Sequence, residues 1–347
     1  MIGVMGDLET PAVRRCSVDE ALALLAAPDV AEECSPAHGC AALVVEGGPD
    51  DWPHDELRPR LRHALDWLPC VTVAPVEGPA WRRFDVVARP DAGVGVATPD
   101  DLETAVVAHP QAANALVRLV RVARRSDPLA GLWAESVTYG LLQAGREFAA
   151  WRAAAPTVAA GAPGHVRVDR SPVGTTVTLS RPGRHNALDV SLRDALVEAL
   201  RAAALDDERP LTLRGEGPSF CSGGDLAEFG TFRDPVTAHL VRSTRLPARA
   251  VLEVRRRLTV EVHGACVGAG VELAAFGATV RAAPGTTFRL PEVTMGLVPG
   301  SGGTWSVSRR MGTQRTNWLV LTGATIDADL ALRWGLVDEV SDGVGAG

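Results

Sequence analysis

The sequence predicts a mixed α/β fold with a mainly parallel sheet. In the C-terminal half, short apolar segments at 177–179, 211–213 and 258–262 alternate along the chain with segments of helical periodicity, such as 188–203. Strands that alternate with helices are typical of a parallel α/β arrangement. Apolar residues make up 46% of the 347 residues and charged residues 22%, which are ordinary values for a protein with a buried core.

The N-terminal half is also predicted to be α/β. Strand patterns lie at 41–45, 70–78 and 85–90, and two segments of helical periodicity follow at 101–125 and 132–152. An uncharged stretch rich in Ala, Pro and Gly comes next, which is typical of a linker. We therefore predict an N-terminal α/β region at 1–155 that ends in two helices, a linker at 156–163 and a second domain at 164–347.

Two pairs of segments raise the question of an internal repeat. The strand patterns at 70–78 and 85–90 resemble those at 258–264 and 279–284, because each pair has an apolar strand ending in glycine and then a strand ending in proline. The N-terminal half is either a degenerate copy of the C-terminal half or an unrelated β-rich region, and the sequence leaves both interpretations open.

Charge and cysteine content exclude several function classes. The net charge of −7 argues against nucleic-acid binding, because a protein that binds nucleic acid normally has a basic face. All 35 basic residues are arginine, so a ligand phosphate must be bound by arginine or by backbone N–H groups. No apolar run is long enough to span a membrane and no secretory leader opens the chain, so we expect a cytoplasmic protein. The six cysteines lack metal-binding spacing, so no metal site is predicted; they are residues 16, 34, 40, 70, 221 and 266.

Three glycine-rich turns carry the chemically informative residues. They read SFCSGGDL (219–226), GACVGAGVELA (264–274) and LPEVTMGLVPGSGGT (290–304). A strand that passes through small residues into a helix leaves backbone N–H groups free to receive negative charge on an oxygen. Glu272 lies about one turn into the helix that is predicted to begin within the second of these segments, and Glu292 follows Pro291 in an apolar context.

Together these motifs resemble the crotonase (enoyl-CoA hydratase/isomerase) superfamily. RPGRHNAL (181–188) and LTGATIDADLALRWGLVDEV (321–340) match two further motifs of that superfamily, and all five occur in the family's order. The resemblance covers 164–347 and implies a crotonase-like core, a spiral of repeated ββα units. Because relatives continue into C-terminal helices, it also implies a shortened C-terminus, and the helices at 101–125 and 132–152 are candidates to cover the site instead.

The resemblance implies specific roles for four residues. In this family an acyl-CoA thioester carbonyl lies between two backbone N–H groups, and the matching positions of this oxyanion hole are Gly224 and Ala269. Family hydratases use two glutamates; here Glu272 and Glu292 are 20 positions apart (292 minus 272), the family spacing. By analogy Glu272 is the base that activates water and Glu292 is the proton donor.

Further residues are candidates for substrate binding. Arg184 is the predicted ligand of a coenzyme A phosphate, since no basic residue follows the first glycine-rich turn, and Ser222 and Asp225 lie within that turn. The family resemblance implies that coenzyme A enters as part of the substrate, that no other cofactor is needed, and that the protein is a homo-oligomer, either a trimer or a dimer of trimers.

The predicted function is the addition or removal of water at an enoyl-CoA thioester. Retention of both glutamates favours hydration, because relatives with other chemistries often lack one of them. Two alternatives stay open. The long N-terminal extension also resembles a cofactor-independent oxygenase that acts on an arylacetyl-CoA, and the chain is alternatively a non-catalytic subunit that binds acyl-CoA or a partner.

Overall fold

The computed structural model describes residues 11–53, 57–88, 90, 98–205, 209–231 and 234–344. The elements of the N-terminal half are β1 (Ala12–Ser17), α1 (Val18–Ala26), α2 (Val30–Glu33), β2 (Cys40–Glu46), α3 (Pro59–Trp67), β3 (Val71–Ala74) and β4 (Val86–Val87). The four strands form a parallel sheet in the order β1-β2-β3-β4. Strand β2 is buried on both faces, as expected for an inner strand of a parallel sheet.

Each of the two helical segments predicted at the end of this half is divided in two. The four helices are α4 (Pro99–Ala108), α5 (Pro110–Ala123), α6 (Pro128–Gln143) and α7 (Arg146–Ala154). The first break lies at His109, whose φ of −131° and ψ of 58° are not helical because Pro110 follows it. The second lies at Gly145, which has an extended backbone. The prediction of two uninterrupted helices was therefore wrong.

The strands of the C-terminal half are β5 (His165–Ser171), β6 (Gly174–Ser180), β7 (Leu211–Gly215), β8 (Leu258–Val262), β9 (Ala265–Val267), β10 (Thr279–Ala282), β11 (Thr287–Arg289), β12 (Thr325–Asp327) and β13 (Glu339–Val340). They form a larger sheet in the order β13-β10-β8-β7-β6-β5 and a smaller sheet in the order β12-β11-β9. Among the described strand pairs of the larger sheet, only the β5–β6 hairpin is antiparallel. The helices are α8 (Val190–Leu205), α9 (Pro235–Arg245), α10 (Pro247–Val254), α11 (Ala269–Ala274), α12 (Gly303–Met311), α13 (Thr313–Thr322) and α14 (Ala328–Trp334).

The two sheets of this half are built by a repeated ββα unit. Strand β8 of the larger sheet is followed by β9 of the smaller sheet and then by α11, and β10 is followed in the same way by β11 and α12. Cys221, after β7, pairs with Cys266 of β9 and so places the first glycine-rich turn beside the second. The predicted parallel α/β fold and its ββα core are confirmed, and this repetition brings the glycine-rich turns together.

The two halves share one buried core. Residues of β2, β3, β4, α4, α5 and α6 belong to the same apolar cluster as residues of β6, β7, β8, α12 and α13. The Asn317 side chain on α13 also donates to the Asp85 carbonyl, 2.8 Å away. The predicted linker occupies the segment between α7 and β5, but the shared core means that the division into two domains stays a prediction.

The internal repeat also stays a prediction. The four parallel strands β1 to β4 lie in the sequential order that β6, β7, β8 and β10 show in the larger sheet, which agrees with a repeat without establishing one. The second of the compared N-terminal patterns forms only the two-residue β4, and position 89 within it lies outside the described residues. In the part of the chain that is described, no helix is long and apolar enough to cross a membrane.

Candidate active site

The three glycine-rich turns meet at a cavity of about 260 Å³. Its walls include every predicted site residue except Arg184: they are Ser222, Gly224, Asp225, Ala269, Glu272 and Glu292. Side chains from α6 and α9 complete the wall, so both halves of the chain contribute to it. The cavity is therefore the candidate active site.

Glu272 is presented by a tightly constrained backbone. Gly264, with φ of +58°, turns the chain from β8 into β9, and a side-chain carbon there would lie 2.0 Å from the Pro218 carbonyl oxygen. Gly268, with φ of +50°, then turns the chain from β9 into α11. Only glycine adopts such positions without strain. The two turns place Glu272, which is 2% exposed, in the first turn of α11.

One carboxylate oxygen of Glu272 is held by the third glycine-rich turn. Glu272 Oε2 accepts hydrogen bonds from the backbone N–H groups of Ser301 (2.6 Å) and Gly303 (2.7 Å). Burial raises the pKa of Glu272 to about 7, while these donors favour the ionised form and limit the rise. Of the two predicted catalytic glutamates, Glu272 is thus the more easily ionised.

Glu292 is placed in a different environment. It begins a turn of 3₁₀-helix at Glu292–Met295 and is 9% exposed. A side-chain carbon on Gly268 would lie 2.9 Å from Glu292 Oε1, so the absence of one leaves space for this carboxyl group. Its Oε2 atom is buried and has no hydrogen-bond partner among the described residues. Burial, and then the charge of Glu272, raise the pKa of Glu292 well above its ordinary value.

The two predicted oxyanion-hole residues lie side by side. Leu188 donates its N–H to the Gly223 carbonyl (2.7 Å) and accepts from the Asp225 N–H (3.0 Å), so the Gly224 N–H between them points away from Leu188. Ala269 is the first residue of α11, where an N–H has no partner within its own helix. A side-chain carbon on Gly223 would lie 3.7 Å from the Ala269 nitrogen.

The three predicted substrate-binding residues have different contacts in the structure. The Asp225 carboxylate forms a buried ion pair with Arg181 (2.7 Å), and this partner explains the buried charge without a bound substrate. Arg184 does not line the cavity, because its guanidinium donates to the Ala159 carbonyl in the segment before β5. Ser222 lines the cavity, and its hydroxyl donates weakly to the Arg184 carbonyl (3.4 Å).

A third buried glutamate, which the sequence analysis missed, also holds the glycine-rich turn at 300–304. Glu135, on α6, accepts from the Gly302 N–H (2.6 Å), the Thr304 N–H (3.0 Å) and the Thr304 hydroxyl (2.5 Å). Successive N–H groups of this turn therefore donate to two different carboxylates. Those of Gly302 and Thr304 donate to Glu135, and those of Ser301 and Gly303 donate to Glu272. Burial, and then the charge of Glu272, raise the pKa of Glu135 to about 8.

Other side chains of the cavity wall were also missed. Tyr139, the one tyrosine of the sequence, lies four residues after Glu135 on α6 and packs against Gly300. The guanidinium of Arg242 lies 5.1 Å from the centre of its ring. Arg242 and Arg193 are the arginines that line the cavity among the described residues, whereas Arg184 does not line it.

Known proteins resemble the half of the chain that contains the glycine-rich turns. A family model described as "Enoyl-CoA hydratase/isomerase" matches residues 173–343. The 2,3-dehydroadipyl-CoA hydratase of Escherichia coli is 36% identical over 47% of this chain and 64% of its own length. A protein named as a probable enoyl-CoA hydratase of Mycobacterium bovis is 33% identical over 50% of this chain and 68% of its own length. The chain belongs to the enoyl-CoA hydratase/isomerase family.

This assignment confirms the resemblance to the crotonase superfamily. Among solved structures, the enoyl-CoA hydratase of Bacillus anthracis is 28% identical, with a TM-score of 0.48, over 51% of this chain and 70% of that chain. The chain spans about two thirds of the length of the curated relatives it matches. In this member of the enoyl-CoA hydratase/isomerase family, Glu135 and Tyr139 lie outside the matched segment, so the family motifs cannot reveal them.

Proposed function

We propose that this protein adds water to the double bond of an enoyl-CoA, and removes it in the reverse direction. The observation that carries the proposal is the unequal environment of two carboxyl groups at one cavity. Glu272 accepts two backbone N–H bonds on one oxygen, whereas Glu292 has a buried oxygen without a partner in the described structure. Such a difference separates the pKa values of the pair and provides one base and one acid.

The proposed reaction begins with the thioester carbonyl. Its oxygen accepts hydrogen bonds from the Gly224 and Ala269 N–H groups, which makes the β-carbon electrophilic and stabilises the enolate that forms. Ionised Glu272 takes a proton from water as the water oxygen bonds to the β-carbon. Protonated Glu292 then donates its proton to the α-carbon, and the product is a 3-hydroxyacyl-CoA. In other enzymes one such oxyanion-hole donor contributes about 3–4 kcal/mol to lowering the barrier.

The residues of the cavity wall support a proposal for how the substrate binds. A wall with both apolar and polar residues and a volume of about 260 Å³ suits the acyl chain of a thioester. Arg193 and Arg242 line the cavity and are placed to attract the phosphates of coenzyme A, while Arg184 stays a prediction for this role. We propose coenzyme A as part of the substrate, no other cofactor, and a homo-oligomeric assembly.

A panel of acyl-CoA thioesters tests the proposed function. We expect at least one enoyl-CoA to gain the mass of one water molecule during turnover, as read by mass spectrometry of the thioester. A product of an arylacetyl-CoA that gains oxygen atoms from O₂ would favour the oxygenase alternative. Binding of the thioesters without turnover of any of them would favour the non-catalytic alternative.

The pH dependence of hydration should form a bell-shaped curve. The base, Glu272, must be ionised, so kcat/KM should fall as the pH drops below about 7. The acid, Glu292, must be protonated and its pKa is raised well above the ordinary value, so the rate should fall again only at alkaline pH. Initial rates between about pH 5 and 10 measure both limbs. A rate that increases steadily as the pH falls below neutrality would contradict the assignment of Glu272 as the base.

A further inference from the structure

A cluster of three buried thiols lies in the N-terminal half, far along the chain from the residues of the candidate active site. The sulfur atoms of Cys34, Cys40 and Cys70 all lie within 4.8 Å of one another. The three residues are between 0% and 5% exposed. Within the described part of the chain this is the one group of three or more His, Cys, Asp or Glu side chains whose ligand atoms are close enough to hold a metal ion.

The cluster is assembled by three different elements at one edge of the N-terminal sheet. Cys34 follows α2, Cys40 begins β2, and Cys70 directly precedes β3. Strands β2 and β3 are parallel neighbours, with Ala42 opposite Val71, so their first residues lie at the same edge. A short turn between Cys34 and Cys40 is closed by the Cys40 N–H, which donates to the Ser35 carbonyl (2.9 Å). Backbone pairing therefore fixes all three positions.

The separation of the sulfur atoms suits one shared cation. The centre of an equilateral triangle with sides of 4.8 Å, the upper limit here, lies about 2.8 Å from each corner, whereas a Zn–S bond is about 2.3 Å. Each sulfur atom would have to move toward the centre by about half an ångström at most to reach the length of a Zn–S bond. Three thiolates select soft cations such as Zn²⁺ and Cu⁺ over hard cations such as Mg²⁺ and Ca²⁺. We propose that Cys34, Cys40 and Cys70 bind one such thiophilic cation.

The surroundings provide partial charge compensation. Three thiols release three protons on binding, so a divalent cation leaves one net negative charge and a monovalent cation leaves two. Arg14 on β1 pairs with Glu33, the residue before Cys34 (3.0 Å). Arg121 donates to the Cys70 carbonyl (3.3 Å). One guanidinium group therefore lies near Cys34 and another near Cys70, and each also pairs with a carboxylate, Glu33 and Asp85 respectively, so the compensation is partial. The weak bond from the Cys40 thiol to the Ala42 carbonyl (3.6 Å) would be exchanged for a metal–sulfur bond.

The proposed metal site would stabilise this end of the N-terminal sheet and would take no part in the reaction at the cavity. It joins the end of α2 to the starts of β2 and β3, and all three cysteines lie in an apolar cluster formed by N-terminal residues alone. Metal binding to such a site contributes to folding free energy, because the preformed ligand set is absent from the unfolded chain. We therefore expect metal content to change thermal stability, whatever activity the protein has.

Metal binding is tested on the full-length protein, purified in reduced form without chelators from cells supplied with Zn²⁺ or Cu⁺. Wild type should carry one equivalent of Zn or Cu by elemental analysis, and Cys40→Ser should lose most of it. The matched control is Cys16→Ser, since Cys16 lies on the neighbouring strand β1 outside the cluster and should keep wild-type content. Removing the metal should lower the Tm of wild type and of the control, and leave Cys40→Ser unchanged.

A second measurement uses wild type alone, in case Cys40→Ser does not fold. Protein stripped of metal and titrated with Co²⁺ should develop a sulfur-to-cobalt charge-transfer band that saturates at one equivalent and disappears on addition of Zn²⁺. No such band, together with no co-purified metal, would overturn the proposal. So would equal metal content in Cys40→Ser and wild type, or a loss of two hydrogens from the native mass that maps to a disulfide within the cluster.

Discussion

Glu272→Gln and Glu292→Gln should each lower kcat for enoyl-CoA hydration on the order of 10²- to 10⁴-fold, the usual contribution of general acid or base catalysis. Both backbone bonds of Glu272 go to Oε2, so a glutamine whose carbonyl oxygen occupies that position keeps both and cannot take a proton from water. The Glu292 change keeps the shape of the side chain and removes the acidic proton. Steady-state rates of hydration and equilibrium binding of a saturated acyl-CoA measure the two effects separately.

The pattern expected is loss of turnover with retained binding. Glu261→Gln is the matched control, because Glu261 lies on β8, the strand that precedes β9 and α11, and does not line the cavity. It should keep both properties. Hydration at wild-type rates in Glu292→Gln would remove the proposed acid. Equal loss of acyl-CoA binding and turnover in both variants would instead point to a disrupted cavity.

Glu135→Ala should have the second-largest effect, on stability as well as on rate. It removes the acceptor of two backbone N–H groups and one hydroxyl in a fully buried setting. Each buried donor left without a partner costs about 1–3 kcal/mol, so with three donors we expect a loss of at least about 3 kcal/mol in the free energy of unfolding. The rate should also fall, because the same turn positions the N–H groups of Ser301 and Gly303 on the proposed base.

The pH dependence of this destabilisation has a definite sign. Because burial raises the pKa of Glu135 from 4.5 to about 8, the folded state keeps a proton that the unfolded state has released between these two values, and the burial of Glu135 becomes less favourable as the pH rises across this interval. Glu135→Ala should therefore cost the most stability at or below about pH 4.5, progressively less as the pH rises to about 8, and a constant amount above that. Chemical denaturation at several pH values measures the trend. A cost that increases with pH would contradict a buried carboxyl group whose pKa is raised.

A glutamate with the same kind of structural contact is the control for Glu135. Glu147 on α7 also accepts two backbone N–H bonds, from Gln111 and Ala112, at the start of α5. Glu147→Ala should cost stability without moving the pH–rate profile.

Glu135→Gln should move the alkaline limb of the pH–rate profile to lower pH, because the charge of Glu135 contributes to the raised pKa of Glu292. Identical pH–rate profiles in Glu135→Gln and wild type would leave Glu135 with a structural role alone.

Local patterns predicted the elements that carry the site. The strand at 258–262 and the helix that begins after Gly268 occur as predicted, because alternation and helical spacing are properties of adjacent residues. The two predicted catalytic glutamates were identified by the resemblance of the glycine-rich turns to family motifs, and Gly264 and Gly268 within these turns are required by the backbone itself. The structure places these turns around one cavity, and the catalytic role of the glutamates stays a prediction.

The contacts that were missed join residues far apart in the sequence. Glu135 binds the Gly302 N–H across 167 positions, and no periodicity or motif encodes such a contact. One local signal was available, because Glu135 is the one charged residue in the otherwise uncharged α6. The thiol cluster was missed for the same reason, since Cys70 joins Cys34 and Cys40 only through strand pairing. Arg184 was selected by sequence motif, but its guanidinium contacts the segment before β5.

Hydration in ¹⁸O-labelled water tests the central claim most directly. The account predicts that wild type converts an enoyl-CoA from the panel into a 3-hydroxyacyl-CoA that carries one ¹⁸O atom on the β-carbon. Glu272→Gln and Glu292→Gln should form this product far more slowly while still binding acyl-CoA. A product whose new oxygen comes from O₂, or labelled product formed equally fast by either variant, would contradict it.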